Sequence, residues 1–334
     1  DLAERLPHMN LQPRYADAIA FFENAAGTVP RSDSRPPYLY WSARAREALG
    51  DKTGAAVVYR IVANDYLNSY YGRLATRRLQ TPGMRQAAEA ARSAASAVAA
   101  SRPPAVTVTE TGATGGPPAA VIDLIRLLCE LDLYDQARDE LQYAQRTWGS
   151  SQAIEATLAW VYNKLGDFRR GIVTMKRAYP TYMSADAALP ADVLRVIHPI
   201  DYWPLIRKHA SANGLDPYLV AALINQESSF QPAARAPASA IGLMQILPST
   251  GRRLARQLRI RRYSAAALTR PEVNIQIGTA YFGQILRRRG GIHQALASYN
   301  AGESRVAIWT AARPGLARAA VVDDIPFPET QNYV

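Results

Sequence analysis

Glu227 is the residue of this chain best placed to do chemistry. It lies in Ile224-Asn225-Gln226-Glu227-Ser228-Ser229-Phe230, at the end of an apolar helical stripe. Between Glu227 and Glu272 there is no other Asp or Glu, while eight Arg fall in that interval. Asp216-Pro217 predicts a helix start, with Asp as N-cap and Pro in the first turn. Leu219, Val220, Leu223 and Ile224 then recur at helical spacing. Glu227 continues that stripe at i+4 from Leu223. A carboxyl group losing solvent on such a face is driven towards its neutral form. In that form it can give a proton to a leaving oxygen. The competing reading is a surface glutamate in the last turn of an ordinary helix.

Other residues point to a binding groove. Gly242-Leu243-Met244-Gln245 follows Glu227, then Tyr299-Asn300-Ala301-Gly302, then Ile325-Pro326-Phe327-Pro328-Glu329-Thr330. The Gln245 amide both donates and accepts hydrogen bonds, and on its own reads as a surface amide. Met244 reads as core filler that also serves as a flexible wall. Tyr299 and Asn300 end a helix that Gly302 terminates. Tyr299 alone reads as a core aromatic whose hydroxyl finds a buried partner; taken with the other motifs, its hydroxyl is expected near Glu227.

These four motifs, in this order, resemble the soluble lytic murein transglycosylases, peptidoglycan-cleaving enzymes with a lysozyme-like catalytic domain. The resemblance covers residues from about Pro199 to Val334. It implies that Glu227 is the single catalytic acid and that Met244, Gln245, Tyr299, Asn300 and Glu329 line the glycan groove. It implies cleavage of the β-1,4 bond after N-acetylmuramic acid without water, leaving 1,6-anhydromuramoyl ends. The family usually reads S-P-x-G-A before its G-L-M-Q, where this chain has Ala236-Pro237-Ala238-Ser239-Ala240. Ala236 thus replaces a serine that contacts the sugar in relatives. Ser239 replaces a glycine, altering a turn or taking over the lost contact. The resemblance also implies a periplasmic location in a Gram-negative bacterium, peptidoglycan as partner and no cofactor. A monomer is expected. The chain starts at Asp1 without Met and stops at Tyr333-Val334, so a removed signal peptide and a further C-terminal segment are both expectations.

Two other functions stay open on the residues. A hydrolytic muramidase on the same fold would need a second carboxylate opposite Glu227 at about 6.5–9.5 Å. Asp216, Glu272, Glu303, Asp323, Asp324 and Glu329 are the candidates. A non-enzymatic helical scaffold binding wall polymer would need no Glu227 among Met244, Gln245 and Tyr299.

Charge is consistent with a polyanionic substrate. The chain has 334 residues and a formal net charge of +11. Residues 196–334 hold 16 Lys and Arg against 8 Asp and Glu, so most of the excess sits with the motifs. A basic surface is drawn to the carboxylates of peptidoglycan stem peptides. It is also what a nucleic-acid binder displays, but Arg252-Arg253 and Arg259 to Arg262 read as a solvated helix face and loop, so no nucleic acid is expected. The four His have no metal-ligand spacing, so no metal is expected. No apolar run is long enough for a membrane span. The single cysteine, Cys129, reads as a buried packing thiol.

These residues must be positioned by helices. Residues 1–195 carry helical pairs about Ala48-Leu49-Gly50-Asp51, Leu133-Tyr134-Asp135 and Leu165-Gly166-Asp167. Their spacing is too irregular for a strict repeat array, so an α-superhelix of tetratricopeptide type is expected, each pair burying its face on the next. It would offer a concave basic surface to hold the glycan. Residues 87–100 predict a helix, and the Pro- and Gly-rich stretch from Arg102 to Pro118 a loop. Val106 to Thr109 alternates in isolation, and a short hairpin is expected within 228–242. Prolines between Pro190 and Pro204 mark a junction. The fold class is therefore mainly α, with a helical-repeat domain over 1–195 and a lysozyme-like catalytic domain over 196–334.

Overall fold

The computed structural model of the chain describes residues 12–29, 34–98, 116–312, 322, 325 and 328–334. The N-terminal part opens with α1 (Gln12–Thr28), α2 (Arg35–Ala48), α3 (Lys52–Asp65), α4 (Tyr70–Leu79) and α5 (Pro82–Val98). The expected turn after Ala48 is present. Asp51 caps α3 by accepting the Gly54 N–H at 2.8 Å, a bond typical of this N-cap position. Tyr59 on α3 is fully buried. Its hydroxyl donates to Glu47 at 3.0 Å, and Glu47 pairs with Arg78 at 2.9 Å, so one carboxylate links α2, α3 and α4.

The second set is α6 (Ala119–Glu130), α7 (Tyr134–Trp148), α8 (Gln152–Lys164) and α9 (Phe168–Ala178). Glu155 on α8 is buried. It accepts from Gln145 at 2.7 Å and Ser150 at 2.6 Å and pairs with Arg177 of α9. A buried carboxylate needs this saturation to be tolerated. Cys129 departs from expectation. It is half-buried rather than enclosed, because α6 turns only one stripe towards α7 and α8. Burial still pushes its thiol pKa up.

The proline-rich junction is not structureless. It contains α10 (Ala191–Ile197), whose Val193, Val196 and Ile197 pack on Ala159 of α8 and Met175 of α9. Pro190 occupies the N-cap of α10 and Pro204 the first turn of the next helix, positions where proline breaks nothing. A boundary between residues 195 and 196 therefore cuts a packed helix.

The C-terminal part contains α11 (Trp203–Ala212), α12 (Pro217–Ser228), α13 (Pro248–Gln257), a 3-10 turn at Ala265–Thr269, α14 (Pro271–Arg289), α15 (Ile292–Ala301), α16 (Glu303–Ala311) and α17 (Pro328–Tyr333). Helix α14 supplies the centre of the core. Its Ile275, Ile277, Phe282 and Ile285 are buried among Ile206, Val220, Ile224, Leu243 and Leu254. Phe168 of α9 reaches into this same core. Among the described residues there is no sheet. The expected hairpin is reduced to antiparallel bridges Arg235–Ile241 and Ile241–Ile246. Val106 to Thr109 lies outside the described residues, as does most of the loop from Arg102 to Pro118. No helix among the described residues is long and apolar enough to cross a membrane.

Candidate functional site

Glu227 occupies the last turn of α12 as expected. Asp216 caps that helix by accepting the Tyr218 N–H at 2.7 Å, and Pro217 follows it. Val220, Ala221, Leu223 and Ile224 are buried, and Glu227, next along the stripe, is half-buried. Its Oε1 accepts a hydrogen bond from the Tyr333 hydroxyl at 2.5 Å. The neighbouring Ser228 hydroxyl donates to the Leu243 carbonyl at 2.8 Å, which fastens the end of α12 to the Gly242–Gln245 loop.

That loop is held from below by Asn274, which is fully buried on α14. Asn274 Oδ1 accepts the Met244 N–H at 2.8 Å, while Nδ2 donates to the Ile241 and Leu268 carbonyls at 2.9 and 2.7 Å. Gly242 has φ of 82°, and a Cβ there would meet the Leu268 carbonyl at 2.2 Å. Only glycine permits this approach.

Met244 corrects the sequence reading. Its side chain is fully buried, packed so closely on α14 that a Cβ at Gly278 would meet its sulfur at 2.3 Å. It is core, and it serves the site through its backbone. Gln245 is half-buried with φ of 44°. Its Nε2 donates to the Gly242 and Ala234 carbonyls at 2.8 and 3.3 Å, so its amide donors brace the loop.

The Tyr299 hydroxyl donates to the Met244 carbonyl at 2.7 Å, not to Glu227. Its ring lies 5.4 Å from Tyr281 and 5.7 Å from Phe282. Burial raises the Tyr299 pKa well above the usual phenol range, and the nearby Glu227 charge raises it further. The Tyr333 pKa is raised for the same reasons in the same order, with added contributions from Tyr299 and the hydrogen bond to Glu227. One carboxyl group and two phenols thus share an enclosed space.

Asn300 accepts from the Thr330 hydroxyl at 2.7 Å. Thr330 and Tyr333 are spaced i and i+3 on α17, so one helical face ties α15 and Glu227 together. Glu329 lies on α17, but its side chain is outside what is described. Ser239 is exposed at a loop tip with φ of 65°, and its N–H donates to the Ala236 carbonyl at 2.9 Å. It keeps the left-handed backbone that glycine would adopt freely, so the turn survives the substitution. Its hydroxyl makes no hydrogen bond to a described residue.

Three of the candidate second carboxylates are engaged elsewhere. Asp216 caps the far end of α12, about 16 Å from Glu227 by helical rise. Glu272 pairs with Lys208 at 3.0 Å and Glu303 with Arg288 at 2.7 Å. Asp323 and Asp324 lie outside the described residues. No cluster of potential metal ligands occurs among the described residues. Arg252, Arg253, Arg256, Arg259, Arg261 and Arg262 are all exposed, and Arg253 lies over the Tyr281 ring at 5.9 Å.

Comparison with known proteins bears on this geometry. Residues 204–321 match the family described as Transglycosylase SLT domain. That match lies within the C-terminal part of the chain, the part that carries Glu227. The soluble lytic murein transglycosylase of Escherichia coli (strain K12) is 36% identical over 146 residues, 43% of this chain and 23% of that protein. The membrane-bound lytic murein transglycosylase C of Yersinia pestis (strain Pestoides F) is 37% identical over 116 residues, 31% of this chain and 32% of that one. In three dimensions, an inactive mutant of lytic transglycosylase Slt from Pseudomonas aeruginosa covers 96% of this chain and 47% of its own, at TM-score 0.64 and 23% identity. The 70 kDa soluble lytic transglycosylase of Escherichia coli gives 94% and 46%, at TM-score 0.61 and 22% identity. The mainly α fold, a helical superhelix followed by a lysozyme-like C-terminal part, is therefore shared along nearly the whole chain. The chain spans less than half the length of these structures and about a quarter of the Escherichia coli relative.

Sequence reasoning missed Asn274, Ser228, Thr330 and Tyr333. Asn274 had left a signal, being a polar residue at i−3 and i−4 from Ile277 and Gly278 on an otherwise apolar helix face. The other three are identifiable only from contacts between distant segments.

Proposed function

We propose that this chain is a peptidoglycan lytic transglycosylase in which Glu227 is both acid and base. The observation that carries the proposal is the half-buried position of Glu227, held by the Tyr333 hydroxyl beside Tyr299 at the end of a capped helix within the segment that matches the SLT family. Glu227 gives its proton to the glycosidic oxygen after N-acetylmuramic acid, and the bond from that oxygen to the anomeric carbon breaks. The substrate's N-acetyl oxygen stabilises the positive charge left on the carbon. The Glu227 carboxylate then takes the proton of the sugar's 6-hydroxyl as that oxygen closes the 1,6-anhydro ring. The acid is regenerated and no water is consumed.

Tyr333 orients Glu227 through the hydrogen bond it donates. Gln245 and the Met244 backbone, stiffened by Asn274 and Tyr299, form one side of the groove. Asn300 acts by anchoring α17, and Glu329, which that helix carries, is assigned to the glycan groove by the family resemblance alone. The position of Asp216 at the far end of α12 and the ion pairs of Glu272 and Glu303 support the one-carboxylate reading for three of the six candidates. We infer a helical domain ending after α10 rather than at residue 195, a periplasmic location and a monomer. Mass spectrometry of glycan products tests the reaction. Anhydromuramoyl ends, lighter by one water than reducing ends, are expected, and reducing ends alone would indicate a hydrolytic muramidase.

A further inference from the structure

The backbone turns sharply just after Glu227. Ser229 and Phe230 are consecutive left-handed residues, with φ of 48° and 61°. Neither is glycine, and a bulky side chain rarely adopts that region. Such strain persists only where the surroundings over-determine it. Here part of those surroundings comes from the other half of the chain. Phe230 is fully buried, and its ring meets Phe168 of α9 edge-on with centroids 6.2 Å apart. The next residue, Gln231, donates Nε2 to the Gly166 carbonyl at 2.7 Å. Gly166 belongs to the Leu165-Gly166-Asp167 turn between α8 and α9, and Asp167 caps α9 by accepting the Arg170 N–H at 3.2 Å. The α8–α9 turn and the start of α9 therefore hold Phe230, the second residue of the strained bend, and Gln231, which follows it.

A second contact lies on another helix of the site. Tyr70, at the start of α4, packs edge-on against His293 near the start of α15, with centroids 5.7 Å apart. Helix α15 carries Tyr299 and Asn300. The N-terminal part thus touches the segment behind Glu227 and the base of the helix that supplies Tyr299.

We propose that the α8–α9 turn and α4 form a brace that sets Glu227 relative to Tyr299, with Phe168 as the main positioning residue. Phe168 acts through Phe230 and holds the exit of α12 in place. The inference rests on Glu227 being the acid, and it gives the helical domain a role in the chemical step. Misplacing a reacting group by about 1 Å can cost about a hundredfold in rate. Loosening the brace should therefore lower kcat far more than it changes KM.

The test uses the full chain and purified peptidoglycan. Phe168→Ala is expected to lower kcat at least about tenfold with KM nearly unchanged, and Phe168→Leu to recover most of the loss. Val173→Ala, on the exposed side of the same helix, should match wild type. Hydrogen exchange supplies a readout independent of turnover. The Ser229 and Gln231 amides, bonded to Asn225 and Ser228 carbonyls at 2.9 and 3.1 Å, should exchange faster in Phe168→Ala. The Gly251 amide, bonded to Leu247 at 2.9 Å, should not. If Phe168→Ala does not fold, Gln231→Ala is judged by the same two readouts. Wild-type kcat in the variant, unchanged exchange at Ser229 and Gln231, or equal acceleration at Gly251 would overturn the brace. A wild-type chain that leaves peptidoglycan intact would instead refute the functional reading, and the exchange result would still judge the brace.

Discussion

Replacing Asn274 with alanine should be among the most damaging single changes in the C-terminal part of the chain. Its carboxamide makes three hydrogen bonds in a fully buried position, to the Met244 N–H and the Ile241 and Leu268 carbonyls. The Ile241 carbonyl keeps a second donor, the Ile246 N–H at 3.1 Å. Two buried backbone groups are therefore left without partners, at about 1–3 kcal/mol each. With the small cavity added, the expected loss is about 3–5 kcal/mol. For a domain of this size that lowers Tm by about 10 °C or more. Asn274→Asp should be no better at neutral pH, because a carboxylate keeps an acceptor for Met244 but faces two carbonyl oxygens with nothing to donate. Urea titration should be followed at the transition of the C-terminal part, because two domains need not unfold together. A loss below about 1 kcal/mol in both variants would mean that water or relaxation satisfies the loop, refuting the argument that Asn274 holds it.

Further outcomes follow from the same structure. Ser239→Gly should raise stability by up to about 1 kcal/mol in thermal melts, since a left-handed conformation costs a non-glycine residue about 1–2 kcal/mol and glycine returns part of that as chain entropy. Burial lowers the pKa of His209 and of His198, with Lys208 and Lys176 adding to the effect and Glu272 opposing it at His209. Below about pH 6.5 the unfolded chain therefore binds protons that the folded chain refuses, so stability is full above that pH and falls as the medium is acidified. His209→Gln should lose less on going from pH 7.5 to 5.5, and equal losses would show that His209 does not contribute. Peptidoglycan binding should weaken as salt rises, because the exposed arginines of α13 and the following loop meet wall carboxylates across water. A binding constant independent of ionic strength would assign those arginines to solvation alone.

What was legible in the sequence was local. Asp216-Pro217 announced the start of α12, and Gly302, with φ of 93°, ended α15 where expected. The turns at Gly50-Asp51 and Gly166-Asp167 are read directly from glycine and an N-capping aspartate. What stayed hidden depends on partners far along the chain. Nothing near Met244 says that Gly278 will receive its sulfur. The Tyr299 hydroxyl, expected near Glu227, donates to a carbonyl that the Asn274 hub places beneath it, with Glu227 close enough to raise its pKa. The prolines from Pro190 to Pro204 mark a junction, but composition does not reveal that Pro190 and Pro204 sit at helix starts. Phe168 looked like one more apolar residue of its own helix pair, yet it packs in the other half of the chain.

The central claim is that Glu227 transfers the proton. Glu227→Gln keeps the side chain's shape and leaves Oε1 to accept the Tyr333 hydroxyl, but it removes the acid. The most direct measurement is the amount of anhydromuramoyl product released from purified peptidoglycan by wild type and Glu227→Gln, with fold and glycan binding followed in parallel. The account predicts anhydro ends from wild type. For the variant it predicts turnover below about one percent of wild type, with melting and binding nearly unchanged. A folded Glu227→Gln chain that still releases anhydro product at more than a few percent of the wild-type rate would contradict it.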